Sequence, residues 1–241
     1  MIVDVDIGNT RAKWRLSDGG LAIEKGVIDT QCEDWPALVA LRSRQPGRVR
    51  VSNVAGEVVA QRVRDIAAKA FGVEAEFAFA CESVGKVVSG YEEPERLGID
   101  RWLAILAAWE LFGKQCVVVD AGSALTFDFL DEQAKHLGGY IVPGQQMMQS
   151  ALFGGTSGVR VNSLQVPGVG YGKNTETAVQ NGCFAITLAF IEKLMTVGDG
   201  AQGSVGIVLT GGDAKNLLGH LPGAAIHRPD LVLDGLALAL P

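Results

Sequence analysis

Histidine is scarce in this chain. Only three of the 241 residues are histidine, and His136, His220 and His227 all lie outside the motifs described below. We expect them to be surface or structural residues. The sequence therefore disfavours a Ser-His-Asp triad or a Cys-His pair, and any general base has to be another type of residue.

Closely spaced cysteines are also lacking. Cys32, Cys81, Cys116 and Cys183 stand far apart in the sequence, without the short spacings that zinc sites use. We interpret them as free, buried thiols.

The chain has neither an excess of positive charge nor a long apolar run. Its formal net charge is −6, which gives no general attraction to nucleic acid or to an anionic membrane. The most apolar stretches, near residues 103–112 and 231–240, are too short or too interrupted to span a bilayer. The sequence starts in a strand pattern rather than in that of a signal peptide. We therefore expect a cytoplasmic protein with no nucleic-acid or membrane partner.

What is present is the composition of a soluble folded protein. Hydrophobic residues make up 48% of the chain and charged residues 20%, a balance that excludes wholesale disorder. A length of 241 residues suits one large domain or two ordinary ones.

Residues 3–16 bring acidic and basic side chains to one tight turn. The sequence VDVDIGNTRAKWRL has β-branched and aromatic residues on both sides of Gly8-Asn9, which predicts a β-hairpin. Glycine and asparagine tolerate a positive φ better than most residues, so the backbone N–H groups of the turn can converge on an anion. With Asp6 before the turn and Lys13 after it, we interpret this hairpin as a phosphate cradle.

The same pattern recurs at residues 117–128, VVVDAGSALTFD. Asp120 corresponds to Asp6 at an offset of 114 residues, and the same offset matches Leu130 to Leu16. One Asp-x-Gly turn alone favours a simple hairpin, but two in register favour a shared role. We expect two halves whose acidic turns face each other across a cleft and hold a polyphosphate and its cation.

Strand and helix patterns alternate along the rest of the chain, which predicts an α/β fold. Further strands are predicted at residues 21–28, 49–53, 74–80, 138–144 and 205–209, and helices at residues 35–44, 57–70, 102–112, 145–152, 231–240, from about 175 to 195, and after 213.

Residues 91–101, YEEPERLGIDR, form a polar loop that leads into an unusual helix. Between residues 102 and 112 only Glu110 is charged, so we expect this helix to be buried. The free N–H groups at its start favour an anion. Asp100 is either the N-cap of this helix or a catalytic carboxylate, and Arg101 either serves the same site or pairs with the nearby glutamates.

Five motifs together resemble those of the type III pantothenate kinases, a family of the actin-like and sugar-kinase superfamily. The motifs are DIGNTRAK at residues 6–13, LGIDRW at 97–102, DAGSALT at 120–126, GGYIVPG at 138–144 and TGGD at 210–213. Ser123 departs mildly from the family, where threonine is frequent, but it keeps the hydroxyl.

The resemblance covers the chain from end to end. It implies an α/β fold of two similar actin-like (ribonuclease H-like) domains, residues 1–113 and 114–241, with mixed β-sheets flanked by helices. The implied activity is ATP-dependent phosphorylation of pantothenate to 4′-phosphopantothenate, the first committed step towards coenzyme A. It also implies a homodimer, Mg²⁺ or a similar divalent cation, and a monovalent cation, K⁺ or NH₄⁺.

By position, the resemblance assigns each role to residues of this chain. The residues assigned to ATP are Asp6, Gly8, Asn9, Thr10, Lys13, Ser123, Gly211 and Gly212. Asp6 is assigned to the magnesium ion and Asp120 to the monovalent cation. The residues assigned to pantothenate are Tyr91, Gly98, Ile99, Asp100, Arg101 and Thr175, the last from the partner subunit. Asp100 is the implied general base, while Thr175 is also a candidate helix cap.

Two alternatives are considered. One is another kinase, or a phosphohydrolase, of the same superfamily acting on an acyl, sugar or polyphosphate substrate, since fold alone does not set function; residues 91–101 argue against it. The other is a nucleotide-binding regulatory protein, such as a transcriptional accessory factor, that has lost turnover. The presence of Asp6, Lys13, Asp100 and Asp120 disfavours that alternative.

Overall fold

The computed structural model describes residues 1–154, 167–198, 205–221 and 225–241. The chain divides into two compact units. The first unit consists of Met1–Gly113, Gln133–Leu137 and Asp230–Pro241, and the second of Lys114–Glu132 and Gly138–Pro229. The last residues of the chain thus belong with the first half of the sequence. Within the described ranges, every helix is too short or too polar to cross a lipid bilayer.

The first unit contains a five-stranded mixed sheet. Its strands are β1 (Ile2–Ile7), β2 (Arg11–Asp18), β3 (Leu21–Asp29), β4 (Arg48–Asn53) and β5 (Ala75–Phe77), in the order β3-β2-β1-β4-β5. β1, β2 and β3 are antiparallel, whereas β4 and β5 run parallel to β1. The predicted first hairpin and the three strands that follow it are confirmed.

Helices and short turns connect these strands and follow them. They are α1 (Pro36–Val39) with a 3-10 turn at Ala40–Arg44, α2 (Glu57–Ile66) with a π turn at Ala67–Phe71, a small hairpin of β6 (Ser83–Val84) and β7 (Val87–Val88), a 3-10 turn at Pro94–Arg96, and α3 (Ile99–Phe112). The helix predicted at residues 35–44 is therefore only one α-helical turn followed by a 3-10 turn. α3 ends at Gly113, whose φ is 58°, a left-handed conformation that glycine adopts without strain.

The second unit repeats this sheet. Its strands are β8 (Cys116–Ala121), β9 (Ala124–Leu130), β10 (His136–Pro143), β11 (Gly206–Thr210) and β12 (Ala225–His227), in the order β10-β9-β8-β11-β12. Its helices are α4 (Gln145–Gly154), α5 (Thr175–Gly198) and α6 (Ala214–Leu218). An antiparallel hairpin is again followed by two strands parallel to its first strand, so the internal repeat is confirmed.

The register of the repeat needs one correction. Val3 pairs with Leu16 across the first hairpin, whereas Val117 pairs with Phe129 across the second. The second hairpin turn is one residue shorter than the first. The offset of 114 residues therefore holds between β1 and β8 and fails between β2 and β9. The counterpart of Leu16 is Phe129, and the match to Leu130 is wrong.

Apolar side chains on one face of each sheet form its core. In the first unit Val3 and Val5 pack with Trp35 and with Val63 of α2. In the second unit the equivalent cluster consists of Val117, Val119 and Phe127 of the sheet with Phe184 and Ile191 of α5. Alternate residues of each strand share a face, so the acidic side chains near the strand ends lie on the other face.

Two cysteines are buried and two are exposed. All four are free thiols, with Cys116 and Cys183 buried and Cys32 and Cys81 exposed. Burial raises the pKa of the Cys116 thiol to about 12, so it stays protonated at neutral pH and is a poor nucleophile. The expectation of burial is therefore wrong for Cys32 and Cys81.

The final helix, α7 (Leu231–Ala239), packs against α3 in the first unit. The contact is close, because a Cβ on Gly235 would lie 1.9 Å from the carbonyl oxygen of Leu103. Nearly all of α3 from Ile99 to Ala108 is buried, as its apolar sequence predicted.

A buried carboxylate joins the first sheet to this helix. Asp4 is fully buried and accepts hydrogen bonds from Arg50 Nε at 2.7 Å and from an Arg15 nitrogen at 3.2 Å. The same two arginines donate to carbonyl oxygens of the C-terminal segment, Arg15 to Leu233 and Arg50 to Leu240, each at 2.8 Å. The three ionised side chains thereby fix the end of the chain on the first sheet.

Candidate active site

The first acidic turn joins β1 to β2. Asp6 pairs with Lys13 across the hairpin, so the carboxylate and the ammonium group share one face of the sheet. Asp6 Oδ1 accepts a hydrogen bond from Ser52 Oγ of β4 at 3.0 Å. The turn closes where Gly8 N donates to Arg11 O at 3.0 Å. Both charged groups are thus held on rigid strands at the same sheet edge.

Gly8 and Asn9 do not have a positive φ, contrary to what their residue types led us to expect. Glycine is favoured at position 8 for a different reason, the close approach of Arg11 O, which would lie only 3.1 Å from a Cβ there. Thr30 holds the turn from outside, since its hydroxyl donates to Gly8 O at 2.9 Å and its N–H to Thr10 O at 3.1 Å. These hydrogen bonds order the turn, on which Asn9 and Thr10 are exposed.

The second acidic turn joins β8 to β9 and is held by two other turns. Gly144 N, after β10, donates to Ser123 O at 3.1 Å, and Asp213 N, after β11, donates to Ala121 O at 2.9 Å. Three of the recognised motifs therefore meet within the second unit around Ser123.

Gly211 lets the chain pass directly beside Asp120. Its φ is 91°, and a Cβ there would lie 2.4 Å from both Asp120 Oδ1 and Ala121 O. Thr210 pairs with Asp120 in the parallel ladder, so their side chains share one face. The Thr210 hydroxyl is buried and has no hydrogen-bond partner among the described residues. A carboxylate beside an unsatisfied hydroxyl is a pair of hard oxygen donors of the kind that bind cations.

Dense metal-binding clusters are absent from the part of the chain that the structure describes. Mg²⁺ in kinases is bound by one or two carboxylates together with phosphate oxygens and water. Asp6 in the first unit and Asp120 in the second each supply one carboxylate of that kind.

Asp100 lies in the first turn of α3, where Gly98 occupies the N-cap position without a side-chain cap. The interpretation of Asp100 as the N-cap is therefore wrong. Its Oδ1 does accept a hydrogen bond from Arg101 N at 2.8 Å, which satisfies one of the free N–H groups of the first turn. A Cβ on residue 98 would lie 2.9 Å from this oxygen, so Gly98 provides the space that the carboxylate occupies.

Arg101 is buried, with 7% of its surface exposed. It donates a hydrogen bond to the Tyr91 hydroxyl at 2.7 Å, and its guanidinium carbon lies 5.6 Å from the centroid of the Tyr91 ring, within the range of a cation–π contact. Arg96, not Arg101, pairs with the nearby Glu93. Arg101 is thus a buried cation beside Asp100, and the surface-pair interpretation is wrong.

The remaining residues assigned to pantothenate lie in different surroundings. Ile99 is buried in the first turn of α3, and Thr175 is the first residue of α5 in the second unit. Asn174 caps that helix, because its Oδ1 accepts a hydrogen bond from Thr177 N at 2.8 Å. The cap interpretation of Thr175 is therefore wrong.

His136 contacts Gly90 and Tyr91 in the loop before α3, which the sequence analysis did not predict. It is fully buried, its Nδ1 accepts a hydrogen bond from Gly90 N at 3.4 Å, and its ring stacks on that of Tyr91. The only signal in the sequence is its position two residues before the GGYIVPG motif.

A large concavity of about 930 Å³ lies elsewhere in the first unit, between residues 33–42 and 57–70. None of the residues assigned to ATP or pantothenate lines it. Two of its charged side chains already pair with each other, Lys69 with Asp65 at 2.8 Å, so its lining is that of a solvated surface groove.

Two mixed sheets of the same strand order, each with an Asp-x-Gly turn after its first strand, define an actin-like fold. Solved structures share this fold. A Campylobacter jejuni protein assigned to the Baf family of transcriptional activators has a TM-score of 0.59 and 21% identity, covering 98% of this chain and 95% of its own. A Sinorhizobium meliloti protein assigned as a 2-dehydro-3-deoxygalactonokinase has a TM-score of 0.53 and 14% identity, covering 99% of this chain and 98% of its own. At these identities the likeness establishes the fold alone.

The sequence comparisons identify the family. The model of the type III pantothenate kinase family matches residues 2–197. A type III pantothenate kinase of Alcanivorax borkumensis is 36% identical over 244 aligned residues, covering 98% of this chain and 97% of the relative. The chain belongs to the type III pantothenate kinase family, and it phosphorylates pantothenate with ATP in coenzyme A biosynthesis.

Proposed function

We propose that Asp100 is the general base of the reaction. Its carboxylate accepts the proton of the pantothenate 4′-hydroxyl while that oxygen takes the γ-phosphoryl group of ATP and ADP leaves. The supporting observation is the position of Asp100 in the first turn of α3, beside the buried guanidinium of Arg101. Phosphoryl transfer through a loose transition state needs positioning and charge neutralisation more than a strong base, so an aspartate suffices.

Pantothenate is held by Tyr91, Gly98, Ile99 and Arg101. Arg101 and the free N–H groups at the start of α3 supply the positive potential that its carboxylate needs. The hydrogen bond from Arg101 to the Tyr91 hydroxyl at 2.7 Å supports this assignment, because it fixes the guanidinium before substrate binds. Thr175 of the partner subunit completes the site.

ATP is held by the two acidic turns. The proposed contacts are those of Asp6, Gly8, Asn9, Thr10 and Lys13 in the first unit and of Ser123, Gly211 and Gly212 in the second. Support comes from the hydrogen bonds that order both turns and from the close approach of Gly211 to Asp120.

Asp6 orients the divalent cation and Asp120 binds K⁺ or NH₄⁺. When bound, the cations neutralise charge on the phosphate oxygens. The unsatisfied Thr210 hydroxyl beside Asp120 supports the second assignment. We expect Asp120→Ala to abolish the stimulation by potassium that the unmodified enzyme shows when the salt is titrated at constant ionic strength. Equal stimulation of both proteins would place the cation elsewhere.

The active form is a homodimer in the cytoplasm. Large apolar residues of the second unit are exposed on β10 and on α5, including Ile141 at 60% and Ile186 at 64%, which is the kind of surface that subunits cover. ATP as co-substrate and free thiols suit a reducing compartment.

The assignment of Asp100 is tested by Asp100→Asn, which keeps the shape of the side chain and removes its basicity. We expect kcat to fall by about 10²-fold or more, while the affinity for a non-hydrolysable ATP analogue stays within twofold. A kcat within fivefold of the unmodified enzyme would show that Asp100 only organises the first turn of α3.

A further inference from the structure

Residues 133–137, which lead from the end of β9 into the first residues of β10, are bound to the loop of residues 88–98 in the first unit, called the substrate loop below. Val88 N donates to Ala134 O at 3.1 Å, and Val88 forms a parallel bridge with Lys135. Two residues further on, Gly90 N donates to His136 Nδ1 at 3.4 Å. A short piece of the second half of the sequence therefore fixes the backbone that leads into Tyr91.

The His136 ring is packed against Tyr91. The two ring centroids are 6.0 Å apart with an interplanar angle of 18°, and His136 is fully buried. Tyr91 in turn accepts the hydrogen bond from Arg101. Tyr91 thus contacts the histidine through its ring and the arginine through its hydroxyl.

The hydrogen bond from Gly90 shows which ring atom faces the loop. A backbone N–H can only donate, so Nδ1 is the acceptor. His136 therefore acts as an acceptor for the loop and as a flat surface for the tyrosine ring, and both functions need a side chain that stays in place.

We propose that His136 is a positioning residue for pantothenate: it fixes Gly90 and the plane of the Tyr91 ring, and through Tyr91 the guanidinium of Arg101. This inference rests on the proposed role of Tyr91 and Arg101 in binding pantothenate. Because His136 contacts Gly90 and Tyr91 of the substrate loop, its loss should affect pantothenate and leave ATP binding unchanged.

Two substitutions separate the parts of this role. His136→Phe keeps a ring for stacking and removes the acceptor, whereas His136→Asn keeps an acceptor oxygen near the position of Nδ1 and removes the ring. For a neutral hydrogen bond we expect His136→Phe to raise the KM for pantothenate about fivefold, with kcat and the KM for ATP within twofold. His136→Asn should recover at least half of that change on a logarithmic scale. His220→Phe is the matched control, since His220 makes an edge contact with Phe184 in the second unit, and it should change neither constant.

A double-mutant cycle with Tyr91→Phe tests the coupling. If His136 acts through Tyr91, the changes in the logarithm of the pantothenate KM are not additive in the double variant. Additive changes in that logarithm would overturn the proposal. So would an unchanged pantothenate KM in His136→Phe, or equal increases in the KM for pantothenate and the KM for ATP. Binding of a non-hydrolysable ATP analogue checks that each variant is folded, and if His136→Phe fails this check, His136→Asn in the cycle decides.

The same measurements distinguish the inference from the function on which it rests. If Tyr91→Phe and Arg101→Lys change the pantothenate KM and the His136 variants do not, only the inference fails. If none of these variants changes it, the proposed pantothenate site itself is wrong.

Discussion

Arg101 donates a hydrogen bond to the Tyr91 hydroxyl at 2.7 Å, which links the first turn of α3 to the loop that precedes it. Because Arg101 is 7% exposed, this hydroxyl replaces water as a partner of a buried cation, and a buried charge without partners is costly. The contact orders the loop and orients the guanidinium.

We expect Tyr91→Phe to raise the KM for pantothenate about tenfold, the effect of losing one hydrogen bond to a charged group. The KM for ATP should stay within twofold, because Tyr91 is not among the residues assigned to the nucleotide. Steady-state kinetics with each substrate varied in turn measure both constants. An unchanged pantothenate KM would show that the orientation of Arg101 does not depend on Tyr91.

The turn after β11 depends on glycine at position 211. We expect Gly211→Ala to reduce the affinity for an ATP analogue more than tenfold and to lower the melting temperature, because the added Cβ would collide with Asp120 and Ala121 at a φ of 91°. Calorimetry gives both quantities.

Gly219→Ala is the control for this substitution. Gly219 has a φ of −66°, and its added Cβ would meet no atom within 4 Å. The control should bind the analogue normally. If the two variants behave alike, the close approach at Gly211 has no part in nucleotide binding.

Much of this fold could be predicted because periodicity and repetition are local signals. The two acidic hairpins and the buried α3 follow from short sequence patterns. The return of α7 to the first unit could not be predicted, because it depends on hydrogen bonds from Arg15 to Leu233 and from Arg50 to Leu240, residues far apart in the sequence. The register of β9 was missed for a different reason, since turn length does not show in a strand pattern.

In the candidate site too, local motifs could be predicted and contacts between distant residues could not. Motif recognition located Asp100 and Arg101, but residue type alone left Asp100 open between a helix cap and a catalytic carboxylate, whereas Gly98 occupies the cap position. His136 was expected to be a surface or structural residue without a role in the site, because its contacts with Gly90 and Tyr91 join residues from the two halves of the sequence. Neither contact has a sequence signature.

The proposed homodimer predicts that the exposed apolar surface of the second unit is covered in solution. We expect Ile186→Glu to convert the dimer to a monomer, because burying an unpaired carboxylate in an interface is unfavourable. Val58→Glu, at a residue 79% exposed on α2 of the first unit, should leave the dimer intact. Light scattering after gel filtration gives the mass of each variant, and a dimer retained by Ile186→Glu would move the interface away from α5.

The buried ion cluster around Asp4 predicts a large loss of stability on removing one charge. Asp4→Asn keeps the shape of the side chain but takes the carboxylate from Arg50 and leaves Arg15 with Asp234 as its remaining partner. Breaking such a pair costs about 3–5 kcal/mol, and the C-terminal segment with α7 should detach first because the same arginines hold the carbonyl oxygens of Leu233 and Leu240.

Tryptophan fluorescence in a urea titration measures this effect selectively, because all four tryptophans, Trp14, Trp35, Trp102 and Trp109, lie in the first unit. Asp65→Asn is the control, since Asp65 pairs with Lys69 on the surface of α2 and its side chain is 47% exposed, and surface pairs contribute little. The midpoint should fall clearly for Asp4→Asn and stay unchanged for Asp65→Asn. Equal midpoints for the two variants would mean that backbone packing of α7 against α3, and not the ion cluster, holds the C-terminal helix in place.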